Sequence, residues 1–341
     1  MASLLQYWGN PDNMGICVAC FKRDIAGAVG LHSAAMLQYM RPEIIGLVWG
    51  ALVAALIHRE FNPTDGSSPM IRFLLGMFSA VGALVFLGCP WRAILRLAGG
   101  DWNALIGIFG LIAGIWVGGL FFKRGFNLGP AKPAAKIVGW IFPVMLIGLL
   151  LLSLIYPQLP KESQHGVLFY SMDGPGSKHA PIFISLIVAL GIGYIAQRSR
   201  FCVIEAIRDM DMILFKYPHM LTGVVAMLLA AFFMNFMLGQ FHPGFIAQPL
   251  AHTDGIWNFM GMLLAGLCFS LADGCPGRQL FKSGEGKADA AVFILGLFVG
   301  VALSHNFSIA ASPAGIGEHS AIAVIIGLIV CGGIGFFMRP K

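Results

Sequence analysis

The sequence predicts an all-α integral membrane protein with about nine transmembrane helices and four re-entrant segments. Of its 341 residues, 57% are hydrophobic and only 11% are charged, and the mean hydropathy is +0.80. Long apolar runs alternate with short loops, which is typical of a multi-pass chain. The 44 Gly and 18 Pro lie among apolar residues, where packed helices can satisfy interrupted backbone. Disordered, collagen-like and coiled-coil classes are therefore excluded.

Charge and cysteine content exclude further classes. The chain has 22 Lys and Arg against 16 Asp and Glu, a formal net charge of +6. There is no basic groove interleaved with exposed aromatic residues, so nucleic acid is not expected as a partner. The N-terminus has no positive region before an apolar run, and no cleavable signal is predicted. The seven cysteines are odd in number and lie in or beside apolar segments, which favours free thiols.

Nine stretches have the roughly 17 to 20 mainly apolar residues that a membrane-spanning helix needs. The first is short and ends in the polar sequence His58-Arg59-Glu60. The predicted transmembrane helices lie near 42–58, 70–88, 103–122, 137–156, 180–197, 219–239, 256–273, 288–304 and 320–338.

Four segments between these stretches are of a different kind: 15–39, 89–101, 200–215 and 275–288. Each is too polar or too short to span a bilayer, yet too apolar and too rich in Gly for an ordinary loop. Hydropathy alone leaves two interpretations open, re-entrant segments that dip into the membrane or amphipathic helices on its surface. An internal repeat favours re-entrant segments.

The two halves of the chain share two motifs at an offset near 185 residues. The sequence C-V-x-x-x-x-R-D begins at Cys17 and again at Cys202. The sequence G-C-P-x-R begins at Gly88 and again at Gly274. Two matches in the same order at nearly the same offset indicate a duplication.

The duplication predicts how a single transmembrane domain over 1–341 is organised. Repeat unit one covers 1–156, a connecting segment with one helix covers 157–198, and repeat unit two covers 199–341. Five predicted helices separate the two C-V-x-x-x-x-R-D motifs, and an odd number of crossings places the copies on opposite faces. The repeats are therefore predicted to be inverted, an arrangement in which interrupted helices meet near the middle of the membrane.

Basic residues are divided unevenly between the two faces. By the positive-inside rule, the C-terminus is predicted to be cytoplasmic and the N-terminus to lie outside. The face that includes the C-terminus holds 15 of the 22 basic residues, namely Arg59, Arg72, Lys123, Arg124, Lys132, Lys136, Arg198, Arg200, Arg208, Lys216, Arg278, Lys282, Lys287, Arg339 and Lys341.

The G-C-P-x-R motif places a thiol at the start of a short helix. Proline suits the first helical position and keeps the residue before it out of the helical region, so the cysteine caps the helix. Unpaired N–H groups and the positive end of the helix dipole point at that thiol, with an arginine one turn further, and this environment attracts an anion. The glycine permits close approach of the backbone. The candidate binding residues are Gly88, Cys89, Pro90 and Arg92, and in the second copy Gly274, Cys275, Pro276 and Arg278.

Simpler explanations compete with these functional ones. A cysteine at a tight turn is often only a small packing residue, and repetition of the motif argues against that. The pairs Arg23–Asp24 and Arg208–Asp209 have an equally simple explanation, in which each pair neutralises itself at the membrane surface.

The remaining cysteines lie outside the repeated pattern. Cys20 has Glu205 as its counterpart, so Cys17 and Cys20 form a poor zinc half-site, and no metal or cofactor is predicted. Cys268 and Cys331 lie inside apolar stretches and are predicted to be packing residues.

The paired motifs, Gly88-Cys89-Pro90-Trp91-Arg92 and Gly274-Cys275-Pro276-Gly277-Arg278, resemble those of the YeeE/YedE family, and the similarity covers nearly the whole chain. The resemblance implies an inner-membrane transporter of sulfur compounds, with thiosulfate uptake as the described activity. It also implies an hourglass-like fold whose loops plunge from both faces, and a substrate route lined by cysteines.

Carried over by motif, Cys89 would lie on the outer side of the route, Cys202 deeper and Cys275 on the inner side, while the role of Cys17 stays open. The sequence G-C-P-W-R resembles that of the family branch associated with selenium metabolism. Both a selenium species and thiosulfate therefore remain candidates for the small chalcogen anion. The resemblance also implies a cytoplasmic sulfur- or selenium-carrier protein of the TusA/SirA type as a partner.

Two other functions compete with transport. A membrane thiol-disulfide redox enzyme would use Cys17 and Cys20 as an outward-facing pair, but that pair is not duplicated. A channel or scaffold would use its cysteines only for packing.

Overall fold

The computed structural model describes residues 1–157, 167–212 and 218–338. Within them the protein is helical apart from one antiparallel ribbon, in which β1 (Thr64–Asp65) pairs with β2 (Lys132–Pro133). The helices are α1 (Ala2–Tyr7), α2 (Val18–Ala28), α3 (Pro42–Ile57), α4 (Pro69–Phe86), α5 (Pro90–Ala98), α6 (Asn103–Lys123), α7 (Lys136–Ile155), α8 (Ile182–Arg198), α9 (Val203–Met212), α10 (Pro218–Met237), α11 (Gly255–Leu271), α12 (Pro276–Gly284), α13 (Ala288–Asn306) and α14 (Ser320–Phe337).

The predicted all-α membrane fold is confirmed. Each of the nine predicted stretches coincides with a helix, and within the described residues eight helical stretches are long and apolar enough to cross a membrane. The ninth, α3, is apolar but only 16 residues long. Large apolar side chains project outward, including Ile137 (72% exposed), Phe183 (69%) and Ile329 (69%). In a bilayer these side chains would face lipid tails.

Some sequence predictions fall partly beyond the described residues. The end of the predicted segment 200–215 lies there, and so do the basic residues Lys216, Arg339 and Lys341. The side chain of Asp209 also lies outside the described part.

Two sets of loops contact each other at the ends of the long helices. In one set, Arg41 donates hydrogen bonds to the carbonyl oxygens of Pro175 and Lys178, at 2.9 and 3.1 Å, and Asp101 forms a β-bridge with Gly244. These contacts join the loops that precede α3, α6, α8 and α11.

The other set joins the loops that follow α3, α8 and α12. Thr64 forms a β-bridge with Lys287, and Arg200 pairs with Glu60 at 2.9 Å. A hydrogen bond from Gln197 and the nearby Arg200 guanidinium hold the pKa of Glu60 below its usual value. The loops before α3 and α8 therefore lie in one layer, and the loops after α3 and α8 lie in another.

The two repeat units are built on the same close helix contacts. Added Cβ atoms at Gly110 of α6 and Gly296 of α13 would overlap the carbonyl oxygens of Phe259 and Phe73, respectively. Gly296 lies 186 residues after Gly110, and Phe259 lies 186 residues after Phe73. These residues therefore occupy equivalent positions of the two units. The pair α6–α11 therefore repeats the pair α4–α13, and glycine lets both pairs of backbones touch.

Four short helices begin directly after a cysteine. These are α2 after Cys17, α5 after Cys89, α9 after Cys202 and α12 after Cys275. All 11 residues of α2 are buried, and α5 and α12 are almost completely buried. The alternative interpretation of these segments as surface helices is therefore wrong for α2, α5 and α12.

Candidate functional site

The starts of α2 and α12 each aim a backbone N–H group at a thiol. Cys17 Sγ accepts a hydrogen bond from the amide of Cys20 at 3.3 Å, and Cys275 Sγ accepts one from the amide of Arg278 at 3.4 Å. Cys89 caps α5 by its backbone position, without a bond from its own side chain. The first helical residues are Pro90 in α5 and Pro276 in α12.

The four cysteines form two buried thiol pairs. Cys17 Sγ donates to Cys89 Sγ at 3.7 Å, which brings together the two short helices of the first unit. Cys202 and Cys275 are close enough in the second unit to interact with each other. All four residues are at most 1% exposed. Each pair therefore places two helix N-termini beside two adjacent sulfur atoms.

Trp91 connects the two G-C-P-x-R helices. Its ring lies against Gly277, and its centroid is 5.8 Å from that of Phe281 in α12. Trp91 and Gly277 occupy the same position of the repeated motif, so equivalent residues meet each other across the two units. This contact brings the two thiol pairs close enough for Cys89 and Cys275 to interact electrostatically.

Gly277→Ala is expected to lower the thermal unfolding temperature of the purified protein in detergent micelles. The added Cβ would lie 2.6 Å from Cζ2 of Trp91, and overpacking of this kind costs about 1–3 kcal/mol. The control is Gly148→Ala in α7, where a Cβ meets nothing within 4 Å. A Gly277→Ala variant that melts like this control would contradict the close packing of α5 on α12.

Arg92 is buried and holds loops in place. Its guanidinium donates to the carbonyl oxygens of Asn13 and Leu250, both at 3.1 Å, and to that of Leu87. It also donates to Cys20 Sγ at 3.3 Å. The sequence predicted an anion-binding arginine, whereas these four acceptors engage the guanidinium within the protein.

Arg278, the equivalent residue, has a different partner. It forms an ion pair with Glu285 at 3.1 Å, while its Nε is buried without a hydrogen bond. Asp273, two residues before Cys275, is 50% exposed at its side chain and pairs with Arg208 and Lys282. Ion pairs with carboxylates therefore hold the second motif in place, whereas hydrogen bonds to carbonyl oxygens hold the first.

The two motif glycines lie tightly against these arginines. A Cβ at Gly88 would be 3.2 Å from Cδ of Arg92, and a Cβ at Gly274 would be 3.1 Å from Cγ of Arg278. Gly274 also has φ +144°, a conformation that L side chains rarely adopt. Both positions therefore require the small residue that the motif supplies.

The ion pair Arg23–Asp24 is not at the surface, so the suggestion of surface neutralisation is wrong for this copy. Asp24 is fully buried and pairs with Arg23 and with Arg41, each at 2.8 Å. Arg41 lies just before α3, so the carboxylate ties the end of one segment to the start of the next helix. Sequence reasoning missed Arg41 because it is 17 residues away from Asp24 along the chain.

Sequence reasoning also missed Lys22. This residue lies on α2 and is 0% exposed, and its Nζ has no hydrogen-bond partner among the described residues. The sequence feature that could have identified it is a lysine between Phe21 and Arg23 in an otherwise apolar segment, five residues after Cys17. Comparison of the two repeat units does not reveal it, because the equivalent residue in the second unit is Ile207.

The remaining cysteines stay outside the thiol pairs. Cys20 contacts Arg92, and no group of His, Cys, Asp or Glu suited to a metal ion occurs within residues 1–157, 167–212 and 218–338. Cys268 of α11 and Cys331 of α14 are buried neighbours, with their sulfur atoms 3.4 Å apart.

Comparison with known proteins agrees with this architecture. Residues 198–327 match the family model described as sulphur transport, and this range contains both Cys202 and Cys275. No curated protein matches the chain. The matched range covers most of the second unit. The contacts between helices in this unit recur in the first unit. The match over residues 198–327 therefore supports the similarity of this chain to the YeeE/YedE family of sulphur transport proteins.

Proposed function

We propose that the protein takes up a small sulfur- or selenium-containing anion across the inner membrane, passing it between buried thiols. The observation that carries this proposal is the pair of adjacent thiols, Cys17 and Cys89, at the N-termini of α2 and α5. A matching pair, Cys202 and Cys275, lies at the starts of α9 and α12. The match of residues 198–327 to a sulphur transport family supports a transporter rather than an enzyme.

The chemistry of these pairs suits a soft anion. Helix N-termini carry unpaired N–H groups and positive dipole ends, which favour negative charge. A thiol is a weak donor with a polarizable sulfur atom, so it can bind a chalcogen atom weakly enough to release it. The hand-off that we propose is non-covalent, with each thiol in turn donating a hydrogen bond to the anion. Thiosulfate and oxyanions or hydrochalcogenides of selenium all fit this description.

We also infer that the two units are inverted across the membrane. The contacts of α4 with α13 recur between α11 and α6, and the loops before and after α3 and α8 lie in separate layers. With the positive-inside rule, the layer that contains Arg200 and Lys282 is cytoplasmic. Cys17 and Cys89 would then be reached from outside and Cys202 and Cys275 from the cytoplasm.

A cytoplasmic carrier protein of the TusA/SirA type is part of the same proposal. It would dock on the face that bears α12 and receive the anion near Cys275. The basic side chain of Lys287, which donates to the carbonyl oxygen of Asn62, lies on this face and would favour an acidic partner surface.

Uptake by reconstituted liposomes tests the proposed function. We expect liposomes with the purified protein to accumulate radiolabelled thiosulfate or selenite faster than empty liposomes, and to discriminate against sulfate, which has no soft terminal sulfur. Equal accumulation of all three anions in protein-containing and empty liposomes would contradict transport.

A membrane thiol-disulfide enzyme is the second candidate, and the 3.7 Å separation of the Cys17 and Cys89 sulfur atoms favours it. Such an enzyme would form a mixed disulfide with a protein partner. Capture of that covalent complex from cells expressing a Cys17→Ala variant, with no anion uptake by the wild type, would support the enzyme over the transporter.

A further inference from the structure

Lys22 has a buried amino group without a partner among the described residues. Its side chain is 0% exposed, and its Nζ finds no hydrogen-bond acceptor within reach among the described residues. No ion pair involves Lys22 in that part of the chain. The other buried basic residues, Arg23, Arg41, Arg92, Arg96 and Arg278, each have at least one carboxylate or carbonyl partner.

The electrostatic neighbours of Lys22 are thiols. Its ammonium group interacts with Cys89, Cys17 and Cys275, which belong to three different short helices and to both units. Lys22 lies on α2, so the helix that presents Cys17 at its N-terminus also presents this cation one and a half turns later. This ammonium group therefore lies where the two thiol pairs approach each other.

An ammonium group in such a place is costly. Moving a charged group from water into the protein interior is unfavourable by several kcal/mol unless a counter-charge accompanies it. The protein provides that counter-charge elsewhere, as in the buried pair of Arg96 and Asp101 at 2.6 Å. At Lys22 it provides none among the described residues, so an anion that enters the site would supply the counter-charge.

The second unit has no lysine at the position equivalent to Lys22. The residue equivalent to Lys22 is Ile207, and the residue equivalent to Cys20 is Glu205. The Glu205 carboxylate acts electrostatically on Cys202, and Lys282, Arg278 and Arg208 act in turn on Glu205. Lys22 is therefore a feature of the first unit and of its Cys17–Cys89 pair.

We propose that Lys22 supplies the counter-charge for the transported anion and holds it beside Cys17 and Cys89. This proposal rests on the proposed function and names the residue that binds the charge of the anion. The thiols select the soft chalcogen atom, and the ammonium group selects the charge.

Calorimetric titration of the purified full-length protein with thiosulfate and with selenite tests this proposal. We expect Lys22→Met to weaken binding at least tenfold, because the replacement nearly keeps the volume and removes the charge. Lys22→Arg should retain most of the affinity. The matched control is Lys178→Met, which removes an exposed lysine that is 3.4 Å from Asp12. It should bind like the wild type.

The thermal unfolding temperature of Lys22→Met provides a second readout. Since an uncompensated buried charge is removed, the variant should melt at the same temperature as the wild type or higher. A markedly lower melting temperature would show that Lys22 has a structural partner and would overturn the proposal.

The titrations separate failure of this inference from failure of the proposed function. Wild-type binding by Lys22→Met together with weak binding by Cys89→Ala would overturn the role of Lys22 and leave the thiol route intact. Binding of neither anion by the wild-type protein would overturn the proposed function, and the role of Lys22 with it.

Discussion

Replacement of Cys89, Cys202 or Cys275 with alanine is expected to abolish or severely reduce uptake of thiosulfate or selenite, while the amount of protein inserted in the membrane stays nearly unchanged. Each cysteine lies at the start of a short helix, where loss of one sulfur atom removes little packed volume. Uptake, by contrast, depends on every thiol of the proposed route, because each thiol in turn donates a hydrogen bond to the anion. Radiolabel accumulation in cells, with expression checked by immunoblot, measures both quantities.

Cys17 belongs to the same experiment. Its sulfur lies 3.7 Å from that of Cys89, and we expect Cys17→Ala to lose part of the uptake. Cys89 would remain at the N-terminus of α5 and still face the ammonium group of Lys22.

Cys268→Ala and Cys331→Ala are matched controls for these variants. The two residues are buried like the others, but they contact each other between α11 and α14, outside the thiol pairs. We expect near-normal uptake and a loss of stability on the order of 1 kcal/mol from the small cavity. Full uptake by the Cys89, Cys202 and Cys275 variants would contradict the thiol route.

Asp24→Asn is expected to lower the free energy of unfolding by about 3–5 kcal/mol, more than the Gly277→Ala or cysteine substitutions. The carboxylate is 0% exposed and accepts from Arg23 and Arg41, so its neutralisation leaves two buried guanidinium groups without a counter-charge. Thermal unfolding of the purified protein in micelles, together with the inserted amount in cells, measures the effect.

Asp12→Asn is the control for this substitution. Asp12 pairs with Lys178 at 3.4 Å, but both side chains are more than half exposed, and an exposed pair contributes at most about 1 kcal/mol. Equal melting temperatures for the Asp12 and Asp24 variants would show that the buried network does not hold α2 to α3.

Hydropathy was enough to predict the long helices, because the requirement for apolar residues acts at every position of a membrane-spanning helix. The predicted stretch 103–122 corresponds to α6 at Asn103–Lys123, and the stretch 288–304 corresponds to α13 at Ala288–Asn306. The short helices were predictable for a different reason. Proline and the residue before it have strong local preferences, so Pro90 and Pro276 mark the helix starts.

Identical motifs do not have identical surroundings, and this limited the predictions about arginine. Arg92 and Arg278 occupy the same position of the repeat, yet one donates to carbonyl oxygens and the other pairs with Glu285. The partners come from segments distant in the chain, such as Leu250 for Arg92, and no local pattern contains that information.

The sequence by itself therefore determined the membrane class, the spans, the duplication and the cysteines that start the short helices. These features depend on interactions with lipid or with residues a few positions away. Only the tertiary structure decided that Cys17 lies beside Cys89, that Trp91 meets Gly277 and that Lys22 has no partner among the described residues. The physical reason is that these contacts join different short helices, and the packing of whole helices sets which side chains meet.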